Sequence, residues 1–332
     1  MKRTVVLALI VAWVSAGLAI GLAPQADAQK FPSKPITMIV PFPPGGSSDL
    51  VGRTVAKGAQ KHMGQSMIIQ NKPGAAATLG LNALAESRPD GYTIGITNSG
   101  IVFQPLMGSK YNYATDLQAL AQAGYIPFVF AVKADAPWKD LDEFTRYAKA
   151  NPRAIKYGHT GIGNTAHSAP EHYAMLSGVK MEPIPFDGGA PLIAALLGGH
   201  IHAIMNNPVD LQQHIKAGTI RVLAVADDKR IDHPMYKDVP TFQEKGYPVS
   251  AILWQGLGAP KGIPQDVLSP LADGLKSIMN DPETKKAITD LGLVFEYLGP
   301  DEFGKKWVSE QERLKKVLTE TGILEQMKSQ KK

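Results

Sequence analysis

The sequence predicts an α/β fold of two lobes, each a mostly parallel sheet flanked by helices. Strand-like and helix-like patterns alternate from Ile36 to Thr97, and a second alternating series runs from Leu141 to Ala226. Strands that alternate with helices form βαβ units, which build parallel sheets. A weakly charged run without helix signals, Leu117–Lys133, separates the two series. We expect this run to be one extended segment that crosses between the lobes.

The elements of the first series are short apolar runs bounded by turn residues. Asn71–Gly74 and Arg88–Gly91 carry the proline that stops an element and the glycine that turns the chain. The expected elements are strand Ile36–Phe42, helix Leu50–Met63, strand Met67–Gln70, helix Leu79–Ser87 and strand Tyr92–Thr97.

The second series shows the same alternation, and the chain then ends in helices. The expected elements of the series are helix Leu141–Ala150, strand Ala154–Thr160, helix Thr165–Ser177, strand Glu182–Phe186, helix Pro191–Leu197, strand Ile201–Asn206, helix Leu211–Ala217 and strand Arg221–Ala226. A polar, proline-rich stretch follows. After it we expect strand Ala251–Leu257, helices Val267–Met279, Thr284–Leu291 and Asp301–Glu320, and a lysine-rich tail.

Two α/β lobes joined by more than one crossing form a clamshell. Its ligand site lies in the cleft, where carboxyl ends of strands and amino ends of helices converge. We expect residues 29–127 and 229–332 to form the first lobe and residues 128–228 to form the second.

The N-terminal segment has the pattern of a secretory signal peptide, residues 1–28. Lys2 and Arg3 precede the apolar run Val5–Leu22, and Ala26–Ala28 ends it with small residues typical of a cleavage site. A membrane anchor is the alternative, because the run approaches the length of a membrane span. The small residues favour cleavage after Ala28, which predicts a periplasmic protein.

Composition narrows the function classes. The chain has 332 residues, no cysteine and a net charge of +5. An exported chain without disulfides needs a large core, and roughly 300 residues after cleavage suffice for two domains. The positive charge is mixed with acidic residues and forms no basic run before the tail, so we expect no nucleic-acid partner.

The first candidate binding motif is the junction Pro41–Asp49, where a β-run ends in two prolines and two glycines before a helix. Free N–H groups at the start of a helix favour an anion. Ser47 or Ser48 is expected to cap this helix, and Asp49 either stabilises the helix dipole or contacts a ligand. The candidate contacts are Phe42, Pro44, Gly45, Gly46, Ser47 and Asp49.

The second motif, Asn71–Gly80, is another connection from a strand end to a helix start. On its own it is an ordinary β–α turn. Its expected position at the same edge of the lobe as the first junction favours ligand contact. The candidates are Ala75, Ala76 and Thr78.

The third motif, Tyr157–His167, also lies between a strand and a helix. Gly161, Gly163 and Ala166 match a dinucleotide fingerprint, and Glu182 has the spacing of a ribose-binding acid. An exported protein does not meet free NAD, so a carboxylate or similar small anion is the favoured ligand, and we expect no cofactor. The candidate contacts are Thr160, Gly161, Gly163, Asn164, Thr165 and His167, where His167 either donates to a ligand or supports the loop.

The fourth motif, Pro185–Ala190, again joins a strand end to a helix. Asp187 is expected either to cap the helix or to select for a donor group of a ligand.

Metal and catalytic signatures are weak. His167, Glu171 and His172 are helix neighbours, and His200 and His202 share a strand face. Neither set supplies the convergent ligands of a zinc site, so we expect no metal. The Gly-x-Ser-x-Gly, Walker A and His-Glu-x-x-His motifs are absent from the sequence. We expect a binding protein and not an enzyme.

Several motifs together resemble the periplasmic solute receptors of tripartite tricarboxylate transporters, often called Bug receptors. The resemblance spans the mature chain and rests on the order and spacing of Pro32–Ile36, Val40–Asp49, Asn71–Gly74, Pro89–Tyr92, Tyr157–His167, Pro185–Ala190 and Leu196–Gly199. It implies a Venus-flytrap fold, type II-like, that closes on an organic acid. It also implies delivery to the large and small membrane subunits of a permease, and we expect a monomer.

The resemblance assigns contacts to both lobes. The first lobe would use the Pro43–Asp49 loop and the Gly74–Thr78 turn. The second would use Thr160, Gly161, Asn164, Thr165 and Asp187. Three departures bear on the ligand: Ala75–Ala77 replace further glycine, Asn164 stands where a small hydroxyl residue is common, and His202 replaces an acid.

Two other functions remain open from the sequence. One is an exported hydrolase that uses Asp49, His167 and Ser47 across the cleft, and the other is a receptor that feeds a sensor instead of a permease. The ligand classes that fit the motifs are di- and tricarboxylates, aromatic acids and acidic amino acids.

Overall fold

The protein is represented by a computed structural model that describes residues 31–329. Its strands, in chain order, are β1 Ile36–Val40, β2 Met67–Asn71, β3 Thr93–Asn98, β4 Leu117–Pro127, β5 Val129–Lys133, β6 Lys156–His159, β7 Glu182–Pro185, β8 Ala203–Asn206, β9 Ile220–Val225, β10 Ile252–Pro260 and β11 Val294–Leu298.

The helices fall at most of the expected places. They are Ser47–Met63, Thr78–Ala85, Gly100–Phe103, Tyr113–Asp116, Leu141–Ala150, Thr165–Ser177, Gly189–Leu197, Pro208–Lys216, Gln265–Asn280, Pro282–Asp290, Pro300–Glu320 and Ile323–Ser329. Short 3-10 turns lie at Ala75–Ala77 and Gln104–Met107. Strand β11 and helix Ile323–Ser329 were not predicted, and the latter occupies what the sequence suggested was a tail.

The strands form two sheets, in the orders β11-β4-β10-β3-β1-β2 and β7-β6-β8-β5-β9. In the first sheet β1 pairs in parallel with β2 and β3, whereas β10 and β11 pair antiparallel. In the second sheet β6 pairs in parallel with β7 and β8, and β5 pairs antiparallel with β8 and β9. The sheets are therefore mixed and not mostly parallel. Strands β5 and β10 are the first strands after each crossing between the lobes. They enter their sheets without the helical crossover that a parallel pair requires, so they can pair antiparallel with their neighbours.

Helices cover both faces of each sheet, which gives the two-lobed α/β fold that the sequence predicted. Helices Ser47–Met63 and Gln265–Asn280 bury Val55 and Leu275 on one face of the first sheet. On its other face Leu84, Phe303 and Trp307 pack into a second core cluster. Burial of these apolar side chains stabilises the fold by about 25 cal/mol for each Å² of apolar surface removed from water.

Two crossings join the lobes. Strand β4 belongs to the first sheet, and β5 begins two residues later in the second, so Leu117–Lys133 does cross as expected. The chain returns between β9 and β10. The return segment packs on the second sheet, because Phe242 lies 5.1 Å from the Tyr173 ring centroid in a shared core. Residues 231–251 therefore lie with the second lobe, whereas the sequence-based division placed everything after residue 228 in the first.

The predicted signal peptide, residues 1–28, lies outside the described residues. Within residues 31–329, none of the helices combines the length and apolar character that a membrane span requires.

Candidate functional site

A cavity of about 540 Å³ lies between the two lobes. The first lobe contributes Asn98–Gly100 at the carboxyl end of β3 and the face of helix Pro300–Glu320 that carries Arg313. The second lobe contributes the first two turns of helix Thr165–Ser177, and the crossing segment contributes 250–253. This volume is within the range of small-molecule sites.

Free hydrogen-bond donors line this cavity. The hydroxyls of Ser99, Thr165 and Ser168 have no hydrogen-bond partner among the described residues, and Ser168 is 5% exposed. Thr165 and Ser168 lie three residues apart on one face of a helix. Hydroxyls without a partner in the protein are available to a ligand that enters the cavity.

Asn164 shapes the second-lobe edge of the cavity. It caps helix Thr165–Ser177 by accepting the backbone N–H of His167 at 3.1 Å, and its amide nitrogen donates to the Thr160 hydroxyl at 3.0 Å. Thr160 therefore supports the cap and does not line the cavity. The cap fixes the end of the helix whose dipole favours negative charge.

His167 is buried behind the loop instead of facing the cavity. Its Nδ1 accepts the backbone N–H of Gly163 at 3.0 Å, and its ring stacks on His159 at 4.3 Å between centroids. Burial, with a smaller effect of His159, lowers the pKa of His167 to about 4. The neutral ring thus braces the Gly161–Asn164 turn, the structural alternative of the two that the sequence left open.

Asp49 organises the first junction. The side chain is 2% exposed and accepts the Gly45 backbone N–H at 2.9 Å, the Arg53 Nε at 2.8 Å and the Asn71 amide at 2.8 Å. The Arg53 hydrogen bond, with those of Gly45 and Asn71, outweighs burial and lowers the pKa of Asp49 to about 2. These contacts favour the structural interpretation of Asp49 over ligand contact.

The expected serine cap of the first helix is wrong. Gly46 is the N-cap and no side chain caps the helix. Ser48 turns inward and donates to Gln255 Oε1 at 2.9 Å, while Ser47, Gly45, Gly46 and Pro44 are exposed outside the cavity. The buried amide of Gln255 competes successfully for the Ser48 hydroxyl, which leaves the first N–H groups of the helix free.

The alanines of the second motif adopt glycine-like backbone. Ala75, Ala76 and Ala77 have φ of 47°, 50° and 77°. Left-handed conformations cost a residue with a Cβ on the order of 1–2 kcal/mol. The turn is held by Gln104, whose amide donates to the Ala76 carbonyl at 2.8 Å, and by Thr78, whose hydroxyl donates to the Ala75 carbonyl. Strained backbone of this kind concentrates at ligand sites.

Asp187 is exposed, does not line the cavity and makes no hydrogen bond with the described residues. Gly188 is the N-cap of helix Gly189–Leu197, with φ of 101° and no side-chain cap. The expected cap at Asp187 is therefore wrong, because the turn needs a positive φ at the cap position that glycine adopts most readily.

The structure brings five of the predicted contacts together in the cavity: Phe42, Ala76, Gly163, Asn164 and Thr165. The others lie outside it. They are Pro44, Gly45, Gly46, Ser47, Asp49, Ala75, Thr78, Thr160, Gly161, His167 and Asp187. The exposed loop residues among them stay predictions.

Sequence reasoning missed the contribution of helix Pro300–Glu320. Glu310 and Arg313 line the cavity, and Glu310 accepts the Trp254 indole N–H at 3.1 Å. A signal was available, because Glu310 falls at helical spacing between the apolar residues Trp307 and Leu314. A charge on an otherwise buried face marks a polar environment there. The other lining residues not predicted as contacts are Ala77, Leu81, Asn98, Ser99, Gly100, Val102, Phe103, Gln104, Ser168, Ala169, His172, Ser250, Ala251, Ile252, Leu253, Leu314 and Val317.

The hydrolase trio does not assemble in this structure. Ser47 is exposed. Asp49 accepts a hydrogen bond from the Gly45 backbone N–H, and the Nδ1 of His167 accepts one from the Gly163 backbone N–H. None of the three lines the cavity. Among residues 31–329, no three His, Asp or Glu side chains converge into a group that could hold a metal ion.

Side-chain packing explains the glycine at position 163 of the apparent dinucleotide fingerprint. A Cβ at Gly163 would lie 2.6 Å from the Met327 sulfur and 3.1 Å from the Phe103 ring. The glycine therefore accommodates protein side chains and not a pyrophosphate. Helix Ile323–Ser329 of the first lobe packs against the loop of the second at this point.

Residues 51–323 match a family model described as the tripartite tricarboxylate transporter family receptor, TctC. The chain belongs to this family. A relative of known name is BugT of Bordetella pertussis, which is 30% identical over 329 residues, or 97% of this chain and 99% of BugT. The resemblance to Bug receptors drawn from the motifs is thereby confirmed.

Solved structures of the family have the same fold. A TctC solute-binding protein from Polaromonas is 32% identical with a TM-score of 0.80, covering 87% of this chain and 99% of that one. The R. palustris protein Rpa4515, solved with adipate, is 27% identical with a TM-score of 0.71, covering 88% of this chain and 98% of its own. This TctC-family chain has the Venus-flytrap fold of solute receptors.

Proposed function

We propose that the chain is a periplasmic receptor that captures a small organic carboxylate between its lobes and delivers it to a tripartite tricarboxylate-type permease. The observation that carries this proposal is the cavity between the lobes with its free hydroxyl donors. Two of those donors, Thr165 and Ser168, lie in the first turns of a capped helix, where the dipole favours an anion. Capture requires no nucleophile.

The carboxylate would be held by neutral donors. Thr165 and Ser168 offer hydroxyls from the second lobe and Ser99 offers one from the first. Hydrogen bonds to a charged group are worth roughly 1.5–3 kcal/mol each. Because the donors belong to both lobes, a bound acid would favour the closed form, and no other described side chain needs to supply a counter-charge at this edge.

Family relationships support the ligand class and the transport role. The R. palustris relative was solved with adipate, a dicarboxylate. The family description names a transporter receptor, which supports delivery to large and small permease subunits. We propose that cleavage after Ala28 releases a monomer into the periplasm.

A hydroxyl substitution tests the site. Thr165→Val keeps the shape of the side chain and removes the donor, so it should weaken carboxylate binding roughly ten- to a hundredfold. Isothermal titration with the acid that most raises the Tm in a carboxylate panel measures the change, since bound ligand stabilises by RT ln(1 + [L]/Kd).

The matched control is Thr319→Val, an exposed threonine on helix Pro300–Glu320 that bonds only its own helix. It should bind within twofold of wild type. Equal affinity of Thr165→Val and wild type would contradict the assignment of this cavity. Recovery of the acid chemically intact after long incubation is expected, whereas a converted product would contradict capture without chemistry.

A further inference from the structure

The C-terminal helix of the first lobe makes an apolar contact with the second lobe. Met327 on helix Ile323–Ser329 is 3% exposed and packs in a small core cluster with Leu318. Ile162, in the Gly161–Asn164 loop of the second lobe, packs against the same cluster. Side chains of both lobes therefore share one apolar cluster.

The backbone of the second-lobe loop also takes part in this contact. A Cβ added at Gly163 would lie 2.6 Å from the Met327 sulfur, so the methionine lies directly against the loop where a side chain is missing. Methionine is unbranched and flexible, and it adapts to irregular apolar surfaces. These properties suit a contact that forms and breaks.

The contact lies beside the cavity and is independent of the crossings. Gly163 and Phe103 line the cavity, whereas Ile162 and Met327 do not. In the described part of the chain, the lobes are joined covalently between β4 and β5 and between β9 and β10. The contact belongs to neither connection, so it has to break when the lobes separate to admit or release a ligand. Separation then exposes apolar surface to water, which is unfavourable.

We propose that the contact of Ile162 and Gly163 with Met327 is a latch that holds the lobes together before any ligand is bound. The latch stabilises the closed form by apolar burial, and it increases affinity without touching the ligand. Apparent affinity rises in proportion to the fraction of molecules in the binding-competent form. The effect on affinity rests on the proposed binding function, whereas the effect on the ligand-free protein does not.

Scattering by the ligand-free protein tests the latch directly. Ile162→Ala removes the second-lobe side chain from the cluster, and Ile162 does not line the cavity. The variant should have a larger ligand-free radius of gyration than wild type, because more molecules are open. At saturation with a carboxylate ligand the two radii should coincide. Equal radii of the two ligand-free proteins would overturn the proposal.

Isothermal titration with the acid selected by the carboxylate panel measures the effect on binding. Ile162→Ala and Met327→Ala should each weaken binding about three- to tenfold, and release of the acid in a stopped-flow chase should be faster. The double variant should lose less affinity than the product of the two single effects, because both substitutions remove one contact. Unchanged affinity in both single variants, or strictly multiplicative effects, would contradict the latch.

A conservative variant separates the contact from folding. Met327→Leu keeps an apolar side chain of similar volume, so its affinity should stay within about twofold of wild type. A loss in Met327→Leu as large as that in Met327→Ala would count against an apolar contact. The Tm of each ligand-free variant reports whether it folds, and Ile162→Ala, at a half-buried position, is expected to fold.

Leu176→Ala is the matched control. Leu176 is an apolar side chain of the second lobe that is 38% exposed and lies outside the cavity. Its replacement should leave the ligand-free radius unchanged and the affinity within about twofold of wild type. Changes as large as those of Ile162→Ala would overturn the assignment to this contact. If wild type binds no acid of the panel, the proposed function fails, and the ligand-free radii alone decide whether the latch exists.

Discussion

Asp49 shows how one carboxylate can determine the shape of a loop between a strand and a helix. It connects the Gly45 turn, the first helix through Arg53 and the end of β2 through Asn71. Asn71 also donates to the Phe42 carbonyl at 3.1 Å. Phe42 lines the cavity, so Asp49 supports a wall of the cavity without lining it.

Stability should depend on Asp49 in a defined pH range. Its pKa in the folded state is lowered to about 2 from 3.8, so its stabilising contribution is complete above about pH 4 and is lost as the pH falls toward 2. Asp49→Asn should lower the free energy of unfolding at pH 7 by about 2–4 kcal/mol, since charged hydrogen bonds are replaced. Urea unfolding at several pH values measures the difference from wild type, which should shrink toward pH 2.

Asp301→Asn is the matched control for this effect. Asp301 is also an acid in the first turn of a helix, but it is exposed and has no hydrogen-bond partner among the described residues. It should show only a helix-dipole contribution of about 0.5 kcal/mol. A pH-independent gap between wild type and Asp49→Asn would contradict the role given to the ionised carboxylate.

The C-terminal helix Ile323–Ser329 packs against the Gly161–Asn164 loop, which borders the cavity. Met327 is buried and packs over Gly163, with Phe103 beside it. Gly163 has φ of 81°, so a side chain at this position would strain the backbone and lie too close to Met327. The helix thus limits which residues the loop accepts.

A double-mutant cycle tests this contact. Gly163→Ala should destabilise the protein by about 2–4 kcal/mol, from left-handed strain and overpacking. Met327→Ala should cost about 2–5 kcal/mol through the cavity it leaves. Denaturant unfolding of the double variant should show a total at least 0.5 kcal/mol below the sum, because removing Met327 relieves the overpacking. Strict additivity would indicate that the two residues do not interact.

Local elements were predictable because their signals are local. Helices Leu141–Ala150 and Thr165–Ser177 have their predicted bounds, since a cap or a strong apolar period marks them. Strand β11 was missed, because its residues are only half-buried and it forms by pairing with β4 across more than 160 residues. The mixed sheet order is a property of such distant pairings and has no local signature.

The candidate site divides in the same way. Its outer edge could be predicted, because glycine-rich turns have a recognisable sequence pattern. Its inner half includes Arg313 and Ser250, which are distant in the sequence and come into contact only in the folded chain. A charged residue on an amphipathic helix usually indicates a solvated face. Only the apolar positions around Glu310 contradicted that interpretation.

The molecule as a whole is expected to close on its ligand. The cavity has donors on both lobes, and within residues 31–329 two chain crossings join the lobes. A ligand that contacts both lobes has greater affinity for the closed form and shifts the population toward it. Small-angle scattering should therefore show a smaller radius of gyration with a saturating carboxylate ligand than without it. An unchanged radius at saturation with the acid that most raises the Tm would contradict closure.

The central place of β10 has a consequence for how the protein is made. This strand begins at Ile252, yet it lies between β3 and β4, so the first sheet has a gap until most of the chain has been synthesised. A nascent chain that ends before it exposes two unpaired strand edges, which favour aggregation. The first sheet therefore cannot be completed by the residues that precede the second lobe. It is completed when residues 252–260, which follow the second lobe in the chain, pair between β3 and β4, so a fragment that ends before residue 252 lacks the strand that joins the two halves of this sheet.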